Sequence, residues 1–285
     1  MTTLCAVLGH PVGHSRSPAM HNAAFRAVGL DWRYEAIDVV PERFEALVRE
    51  LPAKGYAGVN VTIPHKLRAL EVADSASDVA RAVGAANTLV FRDGRIEADN
   101  TDAEGFRTAL AEAAAGAPAG MTALVLGAGG AARAVVHALL SAGARHVEVW
   151  NRHPERARAL VSDLADLGPP GALTSVATPD ARSPDLIVNA TSVGMNAPAH
   201  PKSLDSFKEL DLSADDLRDR QLMVDLVYRD GETDLVRAAR ARGLASVDGL
   251  EILVHQGAAS FELWTGTKAP LKVMRDGARH RERTR

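Results

Sequence analysis

Two serines near the N-terminus stand where packing alone does not require polar groups. Residues 9–18 read Gly-His-Pro-Val-Gly-His-Ser-Arg-Ser-Pro, and an apolar helical pattern follows them. Ser17 before Pro18 is typical of a helix start, with Ser as the N-cap and Pro at the first helical position. Capping leaves Ser15 unexplained, so its hydroxyl is a candidate group for binding a ligand.

A lysine ends a second polar segment, residues 58–66, which reads Gly-Val-Asn-Val-Thr-Ile-Pro-His-Lys. Its alternation is that of a strand, which puts Asn60 and Thr62 on one face and Lys66 at its end. An amide, a hydroxyl and an ammonium group in this arrangement suit a small anionic molecule that carries several hydroxyl groups.

Two later segments add an amide and a carboxylate. Asn87 begins a predicted strand, and Asp102 starts an Ala-rich helical stretch. Asp102 has two open interpretations: it is the N-cap of that helix, or it is a functional carboxylate.

A glycine-rich turn follows the predicted strand at 122–126. Residues 127–132, Gly-Ala-Gly-Gly-Ala-Ala, open the next helix, which is the context that the G-x-G-x-x-[GA] fingerprint requires. The first glycine permits the tight turn, the second lets the backbone approach a pyrophosphate, and the helix N-terminus offers unpaired N–H groups. The pattern predicts a dinucleotide site at Gly127, Ala128, Gly129, Gly130 and Ala131.

The end of the following strand indicates which dinucleotide binds. An NAD site usually has an acidic side chain there for the ribose 2′-hydroxyl, whereas a cation accommodates a 2′-phosphate. The predicted strand at 146–150 instead runs into Asn151-Arg152-His153. Because Arg152 can offer planar, bidentate hydrogen bonds to a phosphate, the sequence favours NADP.

Composition excludes several classes of protein. The chain has 285 residues, 46% of them hydrophobic and 24% charged, which suits two ordinary globular domains. A net charge of −3 provides no positive field for nucleic acid or a membrane surface, and no apolar stretch reaches the roughly 20 residues that cross a bilayer. The charge and the lack of a spanning segment predict a protein without nucleic-acid or membrane partners. With one cysteine, Cys5, no intrachain disulfide can form, so we expect a cytoplasmic protein.

Short apolar strands alternate with amphipathic helices along the chain. This order predicts an α/β protein with an N-terminal α/β domain, its sheet mostly parallel, and a doubly wound, Rossmann-type domain after it. Asp93-Gly94 predicts an antiparallel hairpin in the first domain. Glycine and proline between residues 116 and 120 break the helix that starts near Asp102, which places a joint there.

Several segments have weaker patterns. We predict helices over 41–51, 75–83 and 155–167, and a polar surface segment at 197–220. Five of the eleven residues at 275–285 are Arg, which predicts a frayed, solvated tail.

These motifs together resemble the shikimate dehydrogenase family, in order and over most of the chain. The segments that carry the resemblance are residues 9–22, 58–66, 84–88, 100–102, 127–132, 151–152, 189–195, 225–228, 248–249 and 255–258. The resemblance implies an enzyme that reduces 3-dehydroshikimate to shikimate with NADPH in the pathway to aromatic amino acids. It also implies a substrate-binding and catalytic domain of residues 1–101 and 249–285, an NADP-binding domain of residues 102–248, and a monomer or homodimer.

The resemblance implies that Lys66 and Asp102 are the catalytic pair. As hydride reaches the carbonyl carbon, an ammonium group can stabilise the charge on oxygen and deliver a proton, while the carboxylate orients it. The implied substrate-binding residues are Ser15, Ser17, Asn60, Thr62, Lys66, Asn87, Asp102, Tyr228 and Gln256. Beside the glycine-rich turn, the implied cofactor-binding residues are Asn151, Arg152, Thr191, Leu226 and Gly249.

Two alternatives stay open. Quinate/shikimate dehydrogenases, which often use NAD, share most of these motifs, and His153 stands where the family most often has Thr. A sensor that binds a shikimate-like ligand or NADP without turnover is the other, although such a protein has no need of both Lys66 and Asp102. His10, His14 and His21 lack the spacing and the acidic neighbours of a metal site, so no metal is expected.

Overall fold

The structure, a computed structural model, describes residues 2–113, 118–195 and 205–279. The chain divides into two compact units. Met1–Gly105 and Leu253–Arg285 form the first, here called the terminal unit, and Phe106–Ile252 form the central unit. Each unit contains one six-stranded sheet with helices, which confirms the predicted α/β class.

The terminal unit starts with alternating strands and helices. In chain order they are β1 (Thr3–Gly9), α1 (Ser17–Ala27), β2 (Trp32–Asp38), α2 (Phe44–Glu50), β3 (Tyr56–Val61), α3 (Lys66–Val72), β4 (Ser75–Ala76), α4 (Asp78–Val83), β5 (Thr88–Arg92) and β6 (Arg95–Asp99). The 3-10 helices Pro41–Arg43 and Pro52–Lys54 flank α2.

The sheet of the terminal unit has the order β2-β1-β3-β5-β6-β4. Strand β1 is parallel to β2 and β3, and β4 is parallel to β6, whereas β5 is antiparallel to β3 and β6. Positive φ angles of 52° at Asp93 and 74° at Gly94 form the turn from β5 to β6, which confirms the predicted hairpin. Phe44, Val48 and Ala69 from α2 and α3 pack into the apolar core of this unit.

Helix α5 (Thr101–Glu112) follows β6, and the central unit continues from it. Its further elements are β7 (Thr122–Leu126), α6 (Gly130–Ser141), β8 (His146–Trp150), α7 (Pro154–Asp163), β9 (Leu173–Ser175), β10 (Leu186–Asn189), α8 (Asp205–Glu209), β11 (Leu222–Asp225), α9 (Asp234–Ala241) and β12 (Ala245–Val247). The 3-10 helices are Ala165–Leu167 and Ala214–Asp216.

All strand pairs of the central sheet are parallel, in the order β12-β11-β10-β7-β8-β9. The chain therefore builds outward from β7 in one direction and from β10 in the other. This is the doubly wound topology predicted from the sequence, and the strand order reverses between β7 and β10. In such sheets ligands bind beyond the carboxyl ends of the strands at that reversal.

The last elements of the described chain are α10 (Gly249–Thr265) and α11 (Leu271–Arg279). The prediction of a frayed tail is wrong for residues 275–279, because α11 buries Met274 and Ala278, and Arg16 Nη1 donates to the Ala278 carbonyl at 3.0 Å. Residues 280–285 of that prediction lie outside the described residues. Among the described residues, every helix is too short or too polar to span a membrane.

Other predictions of elements need correction. Ser75–Ala76 is not helical but pairs with β6, and the helices predicted over 41–51 and 155–167 each divide into an α-helix and a 3-10 turn. The surface segment predicted at 197–220 is wrong where it is described, because Phe207, Leu210 and Leu217 are buried in the central core. Residues 196–204 lie outside the described residues.

Candidate functional site

Lys66 and Asp102 form an ion pair in the terminal unit. Lys66 is the first residue of α3, and Asp102 is the second residue of α5. The distance from Lys66 Nζ to Asp102 Oδ2 is 2.5 Å, and the side chains are 12% and 16% exposed. Each side chain is therefore mostly buried but keeps a small surface that is accessible to solvent. The structure thus brings together the two residues predicted as the catalytic pair.

Asn87 holds the other oxygen of Asp102. Its Nδ2 donates to Asp102 Oδ1 and to Thr101 Oγ1, both at 2.9 Å, and lies 3.2 Å from Gln256 Oε1. Thr101 N donates to Asn87 Oδ1 at 2.7 Å, and Gln256 Nε2 donates to the Leu253 carbonyl at 2.9 Å. Both amides are buried, so four predicted site residues, Lys66, Asn87, Asp102 and Gln256, share one hydrogen-bonded cluster.

The interpretation of Asp102 as an N-cap is wrong. Asn100 is the residue that caps α5, because its Oδ1 accepts from Ala103 N at 3.2 Å. Its Nδ2 donates to the Ala85 carbonyl at 2.8 Å, which anchors the cap. The Asp102 carboxylate is therefore available for Lys66 and Asn87.

Asn60 lies beneath this cluster, and its amide is already bonded. Asn60 Nδ2 donates to the Asn87 carbonyl at 3.3 Å and to Thr88 Oγ1 at 3.1 Å. Its Oδ1 accepts from the Tyr34 hydroxyl at 2.7 Å and from Ser260 Oγ at 3.4 Å. Neither Tyr34 nor Ser260 was predicted as a site residue, because neither belongs to one of the polar motifs of the sequence.

Thr62 and the two serines lie in other local arrangements. The methyl group of Thr62 packs against Gly9, where any Cβ would overlap it. Arg16 occupies the N-cap position of α1, and Ser15 Oγ accepts from Ser17 N at 3.3 Å, so the prediction that Ser17 is the cap is wrong. Among the described residues, no hydrogen bond joins these three side chains to Lys66 or Asp102.

His65 precedes Lys66 and is rigidly held. Its ring stacks on Phe44 with the centroids 4.5 Å apart, and its Nε2 lies 2.7 Å from the Val39 carbonyl. Burial lowers the pKa of His65 below its ordinary value. The imidazole therefore tends to stay neutral, and the start of α3 is fixed by packing.

The glycine-rich turn of the central unit has the geometry of a phosphate-binding turn. Gly127 has a φ of 118°, and a Cβ there would lie 2.9 Å from the Ala190 carbonyl oxygen. Gly129 is the N-cap of α6, without a side-chain cap, and a Cβ on it would meet nothing within 4 Å. The backbone of Ala128, Gly130 and Ala131 continues this turn into the helix. A dinucleotide phosphate fits this turn, because N–H groups and open space coincide there.

Other predicted cofactor residues follow the carboxyl ends of neighbouring parallel strands. Asn151 follows β8, Thr191 comes two residues after β10, and Leu226 follows β11. Asn151 Oδ1 accepts from His153 N at 2.9 Å, which shapes the turn that carries the exposed Arg152. Within the described part of the chain, Arg152 makes no ion pair, so its guanidinium fits the role of a phosphate partner.

Gly249 lies close to the end of β11 in space, and Tyr228 follows that strand by three residues. A Cβ on Gly249 would overlap the Leu226 carbonyl, so only glycine permits this close approach. Tyr228 is half-buried on the segment after β11. The structure thus places Leu226 and Gly249 side by side.

A buried carboxyl group lies at this same edge of the sheet. Asp225 ends β11 with no exposed surface, and its Oδ1 accepts from Asn189 Nδ2 at 2.9 Å and from Val227 N at 3.0 Å. Burial raises the pKa of Asp225 to about 7, against the smaller opposing effect of hydrogen bonds. No role was predicted for Asn189 or Asp225 from the sequence.

Family models match three parts of the chain. The model described as "Shikimate dehydrogenase substrate binding domain" matches residues 7–89. "Shikimate / quinate 5-dehydrogenase" matches residues 109–228, and "Shikimate 5'-dehydrogenase C-terminal domain" matches residues 249–277.

Similar proteins match almost the whole chain. The shikimate dehydrogenase (NADP(+)) of Methanopyrus kandleri is 42% identical over 96% of this chain and 94% of its own length. That of Moorella thermoacetica is 44% identical over 96% of this chain and 91% of its own. The crystal structure of shikimate 5-dehydrogenase from Thermus thermophilus in complex with NADP(H) and shikimate has a TM-score of 0.84 and 42% identity. It covers 98% of this chain and 99% of its own.

The predicted resemblance is confirmed by these matches. The three family models follow one another in the order of the motifs, and both relatives match 96% of the chain. The chain belongs to the shikimate dehydrogenase family.

Proposed function

We propose that this protein is an NADP-dependent shikimate dehydrogenase, which interconverts 3-dehydroshikimate and shikimate. The observation that carries the proposal is the Lys66–Asp102 pair at 2.5 Å, held by the buried amide of Asn87. Membership of a family whose relatives are named for this reaction supports it. We assign substrate binding and catalysis mainly to a domain of residues 1–101 and 249–285, and cofactor binding mainly to a domain of residues 102–248. Asp102 and Tyr228 are the exceptions that serve the substrate, and Gly249 is the exception that serves the cofactor.

Lys66 is the proton donor in this mechanism. NADPH, when bound, supplies the hydride for the carbonyl carbon. The Lys66 ammonium group stabilises the negative charge that grows on the carbonyl oxygen and gives that oxygen a proton, which completes the alcohol. Asp102 keeps the ammonium group oriented through the ion pair. In the reverse direction the Lys66 amine accepts the proton of the hydroxyl group.

The surrounding polar groups fit a polyhydroxylated carboxylate. We assign Ser15 and Ser17 to the carboxylate, and Asn87, Asp102 and Gln256 to ring hydroxyl groups, with Thr62 and Tyr228 as further contacts. Asn60 can bond the substrate only by exchanging one of its present partners, because both its amide hydrogens already have acceptors. The buried network beneath Asn87 preorganises the site.

The cofactor site is assigned to the carboxyl edge of the central sheet. The N–H groups at Gly129 and Gly130 would hold the pyrophosphate, and Arg152 would bind a ribose 2′-phosphate with Asn151 beside it. Thr191, Leu226 and Gly249 would line the nicotinamide end. Arg152 and the lack of an acidic side chain in residues 151–153 support NADP over NAD.

Compartment and assembly are further predictions. We propose a cytoplasmic protein that is a monomer or a homodimer. Cys5 is fully buried and serves as a packing residue with a free thiol, whose pKa is raised by burial. A free thiol supports a reducing compartment.

Initial rates of cofactor reduction test the proposed function. Purified protein is assayed with shikimate or quinate, each with NADP and with NAD, under matched conditions. We expect fast turnover with shikimate and NADP alone. Comparable or faster turnover with quinate and NAD would instead identify a quinate/shikimate dehydrogenase. Stabilisation by ligands without turnover in any pair would identify a sensor.

A substitution tests the role of Lys66. Lys66→Met keeps the length of the side chain but removes its proton, so we expect kcat to fall by about 100-fold or more. Calorimetry should still detect shikimate binding, because the serines and amides are unchanged. Lys54→Met is the matched control, since Lys54 is an exposed lysine whose Nζ lies 2.8 Å from Glu50 Oε2. Near wild-type turnover in Lys66→Met contradicts the mechanism.

A further inference from the structure

Asn189 and Asp225 form a buried bridge between two neighbouring loops. They are the last residues of the parallel strands β10 and β11, and they are register partners. Neither has any exposed surface. Asn189 Nδ2 donates to Asp225 Oδ1 at 2.9 Å. The two strand ends are therefore joined by a side-chain hydrogen bond beside the last backbone hydrogen bond, in which Leu226 N donates to the Asn189 carbonyl at 2.9 Å.

Each member of the bridge also shapes its own loop. Asn189 Oδ1 accepts from Thr191 N at 3.1 Å and from Thr191 Oγ1 at 2.7 Å, and its Nδ2 lies 3.2 Å from the Val193 carbonyl. Thr191 Oγ1 in turn accepts from Val193 N at 3.0 Å. Asp225 Oδ1 accepts from Val227 N at 3.0 Å. The turns that follow β10 and β11 thus depend on two side chains that bond to each other.

The residues that these turns present are the ones assigned to the cofactor. Thr191 lies in the first turn, and Leu226 lies between Asp225 and Val227 in the second. The Leu226 carbonyl also contacts Gly249 so closely that a Cβ there would overlap it. A change in either loop would therefore move backbone groups at the nicotinamide end of the proposed site.

We propose that Asn189 and Asp225 are positioning residues, which raise the affinity for NADP(H) by holding both loops in the binding conformation before the cofactor arrives. The inference rests on the proposed function for the location of the cofactor. Neither side chain is assigned a contact with the cofactor. Ordering a loop during binding costs free energy and weakens affinity. Asn189 and Asp225 remove that cost because they order both loops beforehand.

The requirement is for a hydrogen-bond acceptor at Asp225 rather than for a charge. Both Asn189 Nδ2 and Val227 N donate to the same oxygen, and an amide oxygen can accept the same two bonds. Asp225→Asn should therefore retain the bridge, whereas Asp225→Leu fills the space and removes it. This pair separates the acceptor from the volume of the side chain.

Direct binding is the primary measurement. The Kd for NADPH is read from its fluorescence enhancement with no second substrate present, beside kcat and the KM values for NADP and shikimate. For Asp225→Leu we expect a Kd and a KM for NADP at least about 10-fold above wild type, with kcat and the KM for shikimate within about 3-fold. Asp225→Asn should restore the Kd to within about 3-fold of wild type.

Asn189→Ser is the second variant, for the case that Asp225→Leu does not fold. Its hydroxyl can still accept from Thr191 but is too short to reach Asp225, so the same weakening of NADPH binding is expected. Asp185→Leu is the matched control. Asp185 makes a side-chain bridge between two strands at the opposite edge of the sheet, in an exposed position, where its Oδ2 accepts from Thr122 N at 2.8 Å and from Thr122 Oγ1 at 2.9 Å. Its loss should lower stability but leave the Kd for NADPH unchanged.

Three outcomes overturn the inference. They are an unchanged Kd in folded Asp225→Leu or Asn189→Ser, an equal weakening in Asp185→Leu, and failure of Asp225→Asn to restore binding. A wild-type protein that binds NADPH but does not oxidise shikimate contradicts the proposed function alone. The comparison of Kd values among the variants still decides the role of the bridge in that case.

Discussion

We expect acid to destabilise the terminal unit through protonation of the buried His21 side chain. Its side chain is fully buried on α1 and stacks on Tyr34, with the ring centroids 4.3 Å apart and the planes 6° from parallel. Trp264 lies beside it at 5.6 Å. Among the described residues, neither ring nitrogen has a hydrogen-bond partner. Burial without a partner lowers the pKa of His21 to about 3, because a protonated ring here would have no compensation for lost water.

The pKa difference sets the sign and size of the effect. The imidazole stays neutral in the folded protein, but in the unfolded chain it takes up a proton below its ordinary pKa of 6.5. The stability that it contributes is thus complete above pH 6.5 and is lost as pH falls toward 3. Each pH unit in that window amounts to about 1.4 kcal/mol. Between pH 7 and pH 4 the loss is therefore about 3 kcal/mol.

His21→Phe should remove that loss, because a benzyl ring keeps the stacking and does not titrate. The free energy of unfolding of the variant should fall by about 3 kcal/mol less than that of wild type between pH 7 and pH 4. His65, whose pKa burial also lowers, accounts for part of the dependence that remains. His153→Phe is the control, since His153 is exposed and lies in the central unit.

Tryptophan fluorescence can report this unit by itself. Trp32 and Trp264 belong to the terminal unit, and Trp150 belongs to the central unit. In a Trp150→Phe background, urea unfolding followed by fluorescence at pH 7, 6, 5 and 4 therefore reports the terminal unit. An equal loss of stability in wild type and His21→Phe refutes the reasoning.

Two further predictions concern other buried groups. The pKa of Asp225 is about 7 in the folded protein and 3.8 in the unfolded chain, so the free energy of unfolding of wild type should fall by about 4 kcal/mol between pH 3.8 and pH 8. Asp225→Asn should remove this fall. Unfolding curves of the central unit at pH 4 and pH 8 check this. Gly58→Ala should destabilise the terminal unit by about 3 kcal/mol or more, because its Cβ would overlap Trp264 and the Leu89 carbonyl. Gly13→Ala is the control, since a Cβ there meets open space. Thermal melts that coincide for the two variants contradict the prediction.

Local patterns predicted much of the fold. The Asp93-Gly94 turn and the glycine-rich turn before α6 depend on backbone conformations that few other residues adopt, so their residues identify them. Helix α3 was not predicted although Pro64 precedes it, because its seven residues are too few for a helical period to be distinguished. The two-residue strand β4 has no period at all and depends on pairing with β6.

The candidate site was predictable in residue type but not in hydrogen bonding. Lys66, Asn87 and Asp102 were identified from the sequence, but Ser17 was predicted as the N-cap of α1 and Asp102 was left open as the N-cap of α5. Arg16 occupies the N-cap position of α1. Asn100 caps α5, and Ser15 bonds the backbone of Ser17. Capping depends on the angle at which the chain enters a helix, and tertiary contacts decide that angle. Tyr34 and Ser260 illustrate the same limit, because only the folded chain brings them to Asn60.

His21 and Asp225 give the two units opposite responses to pH. Both are buried, but the neutral form of His21 persists because the base loses affinity for a proton, and the neutral form of Asp225 persists because the acid gains it. Acid therefore weakens the terminal unit through His21, and rising pH weakens the central unit through Asp225. His137 opposes Asp225 in the central unit, since burial lowers its pKa as well. The effect of either group is therefore isolated by comparing variant and wild type. The quantity compared is the pH dependence of the free energy of unfolding, followed by tryptophan fluorescence in the unit concerned.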